Sequence, residues 1–233
     1  MFNLKQSALR RRLIQATAFT FCGLGALGVA QAQAWPAKPI KIVVGFAPGG
    51  TTDVMARVMA QSLSEALGQS VVVDNKPGAS GNVAATEVIR AAADGYTFLI
   101  APTSFETANP FLFKQTIAPA KDLTPVVGVG RSQMYLLVKP QSTFKDAKEF
   151  IAYARANPGK LSYASAGSGT PPHLAGELFK KVTGVFATHI PYRGAAPALQ
   201  DVMANQVDYV FDPGIGFPHV RAGKVRMLAV AGA

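Results

Sequence analysis

The stretch Phe46-Ala-Pro-Gly-Gly-Thr-Thr-Asp53 lies between an apolar run and a helical pattern. The apolar run at 40–46 predicts a strand, and the pattern at 51–67 predicts a helix. Gly49-Gly50 frees the backbone for a sharp turn and for the close approach of a ligand. A helix N-terminus carries unpaired N–H groups and about half a positive charge, so it binds anions without help from lysine or arginine. The stretch therefore predicts an anion-binding loop, with an N-cap after an ordinary βα turn as the alternative.

Either Thr51 or Thr52 is expected to cap this helix, with Asp53 in the first turn. The loop is not a P-loop, because no Gly-Lys-Ser/Thr sequence follows. Its candidate ligand-binding residues are Phe46, Ala47, Gly49, Gly50, Thr51, Thr52 and Asp53.

A second loop, Ser165-Ala-Gly-Ser-Gly-Thr170, repeats the arrangement about 115 residues later and precedes Pro171-Pro172 at the start of another predicted helix. Its composition suits a concave nest of N–H groups, and neither serine fits the G-x-S-x-G pattern of a nucleophile elbow. Two such loops predict two lobes that close on one anionic ligand, which favours a binding protein over an enzyme. The candidate residues here are Ser165, Gly167, Ser168, Gly169 and Thr170.

Four further positions are candidates for the ligand site. Ser104 follows a strand, and the carboxyl edge of an open α/β sheet is where ligands bind. His173 stands in the first turn after the second loop, Arg193 follows a strand and offers a guanidinium for an anion, and Asp212 ends a strand. A packed or solvated side chain is the alternative in each case. The glycine-rich turn at 75–82 is interpreted as structural.

No cofactor or metal is predicted, because the three histidines show no ligand-pair spacing. The only cysteine, Cys22, lies in the N-terminal segment. After residue 34 the basic residues are scattered and only Lys180-Lys181 are adjacent, so no nucleic-acid partner is predicted. The net charge of +10 suits the attraction of small anions.

Residues 1–34 have the pattern of a signal peptide. Arg10-Arg-Arg12 forms the basic region, 13–29 is apolar, and Ala30-Gln-Ala-Gln-Ala34 supplies small residues for cleavage after Ala34. The expected location is the periplasm, by Sec or twin-arginine export. A membrane anchor is the alternative.

Short apolar runs alternate with helical patterns along the rest of the chain, as in an α/β protein with parallel sheets covered by helices. The helix at 51–67 is expected to place Val54, Val58 and Leu63 on one side. An irregular stretch at 118–131 predicts a crossover between two domains. The expected organisation is a first lobe at 35–128, a second lobe at 129–226 and the start of a strand returning to the first lobe at 227–233.

The order of these motifs resembles the Bug-type substrate-binding proteins of tripartite tricarboxylate transporters. The motifs that carry the resemblance are Gly45-Phe-Ala-Pro-Gly-Gly-Thr-Thr-Asp53, Asn75-Lys-Pro-Gly-Ala-Ser-Gly81, Ala93-Asp-Gly-Tyr-Thr97, Tyr163-Ala-Ser-Ala-Gly-Ser-Gly-Thr170, Pro191-Tyr-Arg-Gly194 and Pro197-Ala-Leu-Gln-Asp201. One departure is Gly45, where proline is common in the family and where glycine is expected to leave the loop more flexible.

The resemblance implies a periplasmic type II binding fold, with two α/β lobes hinged around a cleft, and a binding protein rather than an enzyme. The ligand would be a small carboxylate held by the two loops and delivered to the large and small membrane subunits of a tripartite transporter. Family members are usually longer, so the first lobe is expected to be incomplete and the chain truncated at its C-terminus. A sensor that presents its ligand to a signalling receptor is the alternative, and a hydrolase is a more remote one.

Overall fold

The computed structural model describes residues 35–114 and 117–231, and the proposed signal peptide lies outside these ranges. The described fold lies within one compact unit that begins at Lys38. Among the described helices, none has the length and apolar character that crossing a membrane requires.

The first sheet contains three parallel strands in the order β2-β1-β3. Val43 at its centre pairs with Asp74 on one side and with Leu99 on the other. Helices follow the first two strands, and this βα alternation makes neighbouring strands parallel. The elements are β1 (Ile40–Val44), α1 (Thr51–Leu67), β2 (Val71–Asn75), α2 (Asn82–Arg90) and β3 (Thr97–Ile100).

Three one-turn helices follow the first sheet, in a region without helical periodicity. They are α3 (Ser104–Thr107), α4 (Asn109–Leu112) and α5 (Pro119–Asp122). A 3-10 turn over Ala79–Gly81 precedes α2.

The second sheet contains five strands in the order β6-β5-β7-β4-β8. Its elements are β4 (Met134–Val138), α6 (Ala147–Ala156), β5 (Ser162–Ser165), α7 (Pro171–Thr183), β6 (Thr188–Pro191), α8 (Ala195–Met203), β7 (Tyr209–Asp212), α9 (Phe217–Arg221) and β8 (Arg226–Ala231). The strand predicted at 40–46 and the helix predicted at 51–67 are both present within two residues of their expected bounds.

The expectation of wholly parallel sheets is wrong for the second one. Strands β5, β6 and β7 are parallel, but β4 is antiparallel to both of its neighbours, β7 and β8. β4 comes from the first sheet through a long irregular connection and not through a βα crossover, so the geometry that makes neighbours parallel does not apply to it.

The strand over Arg226–Ala231 belongs to this second sheet, where Leu136 pairs with Ala229. The expected return to the first lobe at 227–233 therefore does not occur in the described residues. The apolar run pairs with the nearest open edge, which is that of β4, and satisfies its backbone hydrogen bonds there.

The second sheet is covered on both faces. One face carries a cluster rich in aromatic rings, in which Tyr209 contacts both Phe150 and Tyr163. The other face packs aliphatic residues such as Leu199 and Val202. This double coverage fixes the strand ends from which the loops of the site emerge.

Helix α1 packs on the first sheet through small residues. Ala56 and Ala60 are buried, whereas Val54 and Val58 are 47% and 64% exposed. Val54 and Val58 are therefore not on the side that packs on the sheet, where alanines allow the helix to approach the strands more closely than valines would.

Candidate functional site

The loops at the carboxyl ends of the strands surround a cavity of about 260 Å³. Residues from both sheets form its wall, so it has the position of a ligand site in an α/β protein. The lining residues are Gly45, Phe46, Gly78, Ala79, Ser80, Phe113, Ala166, Gly167, Ser168, Pro191, Tyr192 and Arg193.

The first loop is held in shape by Asp53, which is 2% exposed. Its carboxylate accepts hydrogen bonds from the Gly49 N–H at 2.9 Å, from Asn75 Nδ2 at 2.8 Å and from the Arg57 guanidinium at 3.0 Å. Burial alone would raise the pKa of Asp53, but these hydrogen bonds outweigh burial and lower it. Asp53 thus stabilises the loop, and its carboxylate is occupied by hydrogen bonds within the protein.

Neither threonine caps helix α1, contrary to the sequence prediction. The N-cap residue is Gly50, which has no side chain to accept a hydrogen bond. Thr51 Oγ1 is buried and has no hydrogen-bond partner among the described residues. Thr52 is half-buried and is not among the residues that line the cavity.

The first loop rests against the segment that precedes helix α8. The Ala47 N–H donates to the carbonyl oxygen of Arg193 at 2.9 Å. A Cβ atom on Gly50 would lie 3.6 Å from the backbone nitrogen of Ala195. Gly50 therefore faces protein backbone and Gly49 faces the Ala196 side chain, while Phe46 and Arg193 contribute to the cavity wall.

The second loop is stabilised largely by its own side chains. Ser165 Oγ accepts from the Gly167 N–H at 3.1 Å, and Thr170 Oγ1 donates to the Gly167 carbonyl at 2.6 Å. Gly167 has a φ of +127°, a conformation that favours glycine. Ser165 and Thr170 are almost fully buried, so Ala166, Gly167 and Ser168 are the residues of this loop that line the cavity.

Two histidines support the second loop from behind. His173 Nδ1 accepts from the Gly169 N–H at 3.0 Å, and His189 Nε2 lies 2.6 Å from Ser165 Oγ. The two imidazole rings are 4.2 Å apart. Burial lowers the pKa of His173, and burial together with the neighbouring His173 lowers the pKa of His189 to about 4. Neutral imidazoles therefore maintain the loop near neutral pH.

The Ser165–His189 contact is not a catalytic dyad. The Ser165 side chain has no exposed surface, and its hydroxyl also donates to the Gly167 carbonyl at 3.2 Å. A nucleophile must reach the substrate carbonyl, and this hydroxyl is occupied inside the loop.

The turn at 78–81, interpreted from sequence as structural, forms part of the cavity wall. Gly78, Ala79 and Ser80 line it, and Ser80 Oγ donates to the Ser168 carbonyl at 2.6 Å. Asn109 Nδ2 donates to the Ser80 carbonyl at 3.0 Å from behind. The sequence gives no distinguishing signal here, because a glycine-rich turn before a helix looks the same whether or not it reaches a ligand.

Ser104 and Asp212 lie outside the cavity wall formed by the described residues. Ser104 is buried at the start of α3. Asp212 Oδ2 accepts from the Gly214 N–H at 2.7 Å and from the Gly216 N–H at 2.9 Å. Burial raises the pKa of Asp212 despite these two bonds. The described residues contain no cluster of three potential metal ligands.

Gly45 is required for close packing rather than for flexibility. A Cβ atom at this position would lie 2.5 Å from Gly81 Cα, a backbone atom that cannot rotate away. We expect Gly45→Ala to lower the free energy of unfolding by about 1–3 kcal/mol in urea denaturation. Gly128→Ala is the control, because a Cβ atom there meets nothing within 4 Å. Equal stability of the two variants would contradict the packing role.

The chain has close relatives among curated proteins and solved structures. The family model for "Tripartite tricarboxylate transporter family receptor" matches residues 55–233. The UPF0065 protein in the gbd 5' region of Cupriavidus necator is 38% identical over 231 residues, which cover 96% of this chain and 70% of that protein. Protein BugT of Bordetella pertussis is 37% identical, with 94% and 68% covered. For other curated relatives of similar identity the chain spans about 59–60% of their length.

Solved structures give the same result. Rpa4515 of R. palustris with adipate is 40% identical with a TM-score of 0.83, over 85% of this chain and 67% of that one. MatC of Rhodopseudomonas palustris with bound malate is 34% identical with a TM-score of 0.79, over 85% and 68%. The periplasmic binding protein BugD is 36% identical with a TM-score of 0.78, over 85% and 67%. These proteins are binding proteins, not enzymes. The chain therefore belongs to the tripartite tricarboxylate transporter receptor family as a Bug-type binding protein with the type II periplasmic fold.

Proposed function

We propose that the protein is a periplasmic receptor that binds a small carboxylate in the cavity between Phe46–Gly50 and Ser165–Thr170. In this proposal it delivers the ligand to the large and small membrane subunits of a tripartite transporter. One observation carries the choice of an anion: Arg193 is the only charged residue among the described residues that line the cavity, and no carboxylate lines it. A negatively charged ligand meets attraction there and no like charge.

The groups that would hold the carboxylate are a guanidinium and backbone amides. The Arg193 side chain is exposed, and its guanidinium has no ion pair or hydrogen bond with the described residues. The Ser168 N–H likewise has no partner among them, as the second loop leaves it at the cavity wall. A guanidinium binds a carboxylate with two parallel hydrogen bonds, and backbone N–H groups add fixed donors.

The sequence prediction that both loops present N–H groups is supported unequally. In the first loop the N–H groups of Ala47 and Gly49 are engaged with Arg193 and Asp53. Among the described residues of the first loop, Phe46 alone lines the cavity, as an apolar wall, so the donors of this proposal come from the second loop and Arg193. A side wall of this kind suits the carbon chain of a small acid.

The size of the cavity favours a small acid. Its volume of about 260 Å³ is slightly below the roughly 300–1,000 Å³ of sites for drug-sized ligands. Two relatives of solved structure hold adipate and malate. Dicarboxylates of four to six carbons are therefore the first ligands to test.

Binding is tested by thermal shift with mono-, di- and tricarboxylates and with the matching amides. A ligand at a hundredfold excess over its Kd stabilises the folded protein by about 2.7 kcal/mol. We expect one class of acid to raise the Tm and its amides to have no effect, because the amides lack the charge that Arg193 recognises.

Arg193→Gln is expected to weaken binding about tenfold or more, the usual effect of losing a charge-assisted hydrogen bond. Arg221→Gln, also exposed but located in helix α9, is the control. Binding that persists unchanged in Arg193→Gln would contradict this site, and indifference to every acid would contradict a carboxylate receptor.

Delivery to a transporter needs a separate experiment in cells. Uptake of the labelled acid should be lost when this gene is deleted and restored by the wild-type gene. Uptake that is unchanged by the deletion would favour the sensor alternative.

A further inference from the structure

Two hydrogen bonds join loops of the first sheet to loops of the second sheet across the cavity. Ser80 Oγ donates to the Ser168 carbonyl at 2.6 Å, and the Ala47 N–H donates to the Arg193 carbonyl at 2.9 Å. A ligand enters a site enclosed by two lobes only when they separate, and separation breaks both bonds. Among the described residues, the bond from Ser80 is the only cross-cavity hydrogen bond made by a side chain.

Ser80 is held in a conformation that serine rarely adopts. Its φ and ψ are +52° and +40°, and the preceding Ala79 has a φ of +45°. Non-glycine residues persist in this left-handed region only where surrounding contacts compensate. Here the compensating contacts are the bond from Asn109 Nδ2 to the Ser80 carbonyl and the bond from Ser80 Oγ to Ser168. Asn109 is itself 1% exposed.

The second loop packs closely against Ser80 and Leu112 because it contains glycine at the two points of contact. A Cβ atom on Gly167 would lie 3.0 Å from Ser80 Oγ, and one on Gly169 would lie 2.7 Å from Leu112 Cδ1. The turn at 78–81 is therefore enclosed between the second loop and the end of β1, where Gly45 packs against Gly81. A shift of the turn at 78–81 therefore requires the second loop to move as well.

We propose that Ser80 is a latch that holds the cavity closed. Its hydroxyl bonds to Ser168 only in the closed arrangement, so it sets the fraction of closed molecules and the time that a ligand stays bound. The second consequence rests on the proposed carboxylate binding, whereas the first is independent of any ligand. Ser80 is a positioning residue that acts through the Ser168 carbonyl.

Closure is measured without ligand by the distance between two spin labels. The full chain carries Cys22→Ser, Gln61→Cys and Gln200→Cys, with a nitroxide on each introduced thiol. Gln61 lies on α1 and Gln200 on α8, and both are exposed. We expect the distance distribution to become longer and broader in Ser80→Ala than in the parent protein. Ser70→Ala, at an exposed serine before β2, should leave it unchanged.

Ser80→Gly separates the hydrogen bond from the backbone strain. Glycine adopts a positive φ without cost but lacks the hydroxyl. The latch requires both Ser80→Ala and Ser80→Gly to open the cavity. A parental distribution in both variants overturns the proposal, and so does opening in Ser80→Ala alone, because strain would then be the cause. A parent protein as broad as Ser80→Ala also overturns it.

The dwell time is measured with adipate and malate by rapid-mixing kinetics. The dissociation rate should rise about two- to tenfold in Ser80→Ala, the factor that corresponds to one neutral hydrogen bond, and the association rate should rise with the open fraction that the spin labels report. An unchanged dissociation rate contradicts the link to dwell time. Failure of the parent protein to bind any acid contradicts the proposed function, and the spin-label distances, which need no ligand, then decide whether the latch exists.

Discussion

Asp53→Ala is expected to lower the free energy of unfolding by about 3 kcal/mol, as measured by urea denaturation. The variant leaves the Gly49 N–H, the Asn75 amide and the Arg57 guanidinium without their shared acceptor. Breaking a buried ion pair on one side costs about 3–5 kcal/mol. The lower end applies because the Arg57 side chain is 53% exposed and water solvates it in the variant.

Asp94→Ala is the matched control for this variant. Asp94 makes a hydrogen-bonded ion pair with Lys38 at 2.9 Å, but both side chains are exposed. Surface pairs of this kind add little to stability, so Asp94→Ala should unfold at nearly the same urea concentration as the parent protein. A loss of less than 1 kcal/mol in Asp53→Ala would show that other contacts hold the first loop in place.

Acidification is expected to destabilise the protein through the histidine pair. In the unfolded chain an imidazole has a pKa of about 6.5, whereas the pKa of His189 in the folded protein is about 4. Between these values the unfolded state binds a proton that the folded state does not, so stability falls as the pH falls through this window. The loss should reach about 2 kcal/mol between pH 7 and pH 5 and at most about 3 kcal/mol by pH 4.

The surroundings of the pair explain why protonation is unfavourable. Burial is the main cause, and Lys180 adds a like charge that lowers the pKa of both histidines. Glu177 acts in the opposite direction, but its carboxylate already accepts hydrogen bonds from Lys180 and from the Tyr163 hydroxyl. A proton on Nδ1 of His173 would also displace the Gly169 N–H.

Denaturation at pH 7, 6 and 5 tests this prediction with His189→Gln. The variant should lose less stability than the parent protein over the same range. Comparing how the free energy of unfolding changes with pH in the two proteins cancels the titration of the groups that they share. The stabilising effect of Asp53 and Glu177 persists above their ordinary pKa values of 3.8 and 4.5, so it changes little in this window. The same pH dependence in His189→Gln and in the parent protein would contradict the prediction.

The element pattern of the fold was predictable because it depends on local periodicity. Helix α1, for example, was predicted with the bounds that the structure shows. The antiparallel orientation of β4 and the pairing of β8 were not predictable, because they depend on which strand at the edge of a sheet is still unpaired. The one-turn helices were missed because four residues carry no period.

The site was predictable at the level of loops and less so at the level of side chains. Phe46, Ser168 and Arg193 line the cavity, whereas Asp53 and Ser165 are consumed in holding their own loops. A short polar residue beside glycines has the same sequence signature in both roles. Its direction is decided by distant partners such as Asn75 and His189, which sequence reasoning did not connect to these loops.

Arg193 combines two tasks in separate parts of one residue. Its carbonyl accepts the hydrogen bond from Ala47, and its side chain supplies the charge of the cavity wall. The main-chain bond does not depend on the side chain at this position, which is exposed. If the proposed function holds, residue 193 is therefore a natural position for retargeting: a library at this single codon should alter the preferred charge of the ligand while preserving the contact between the loops.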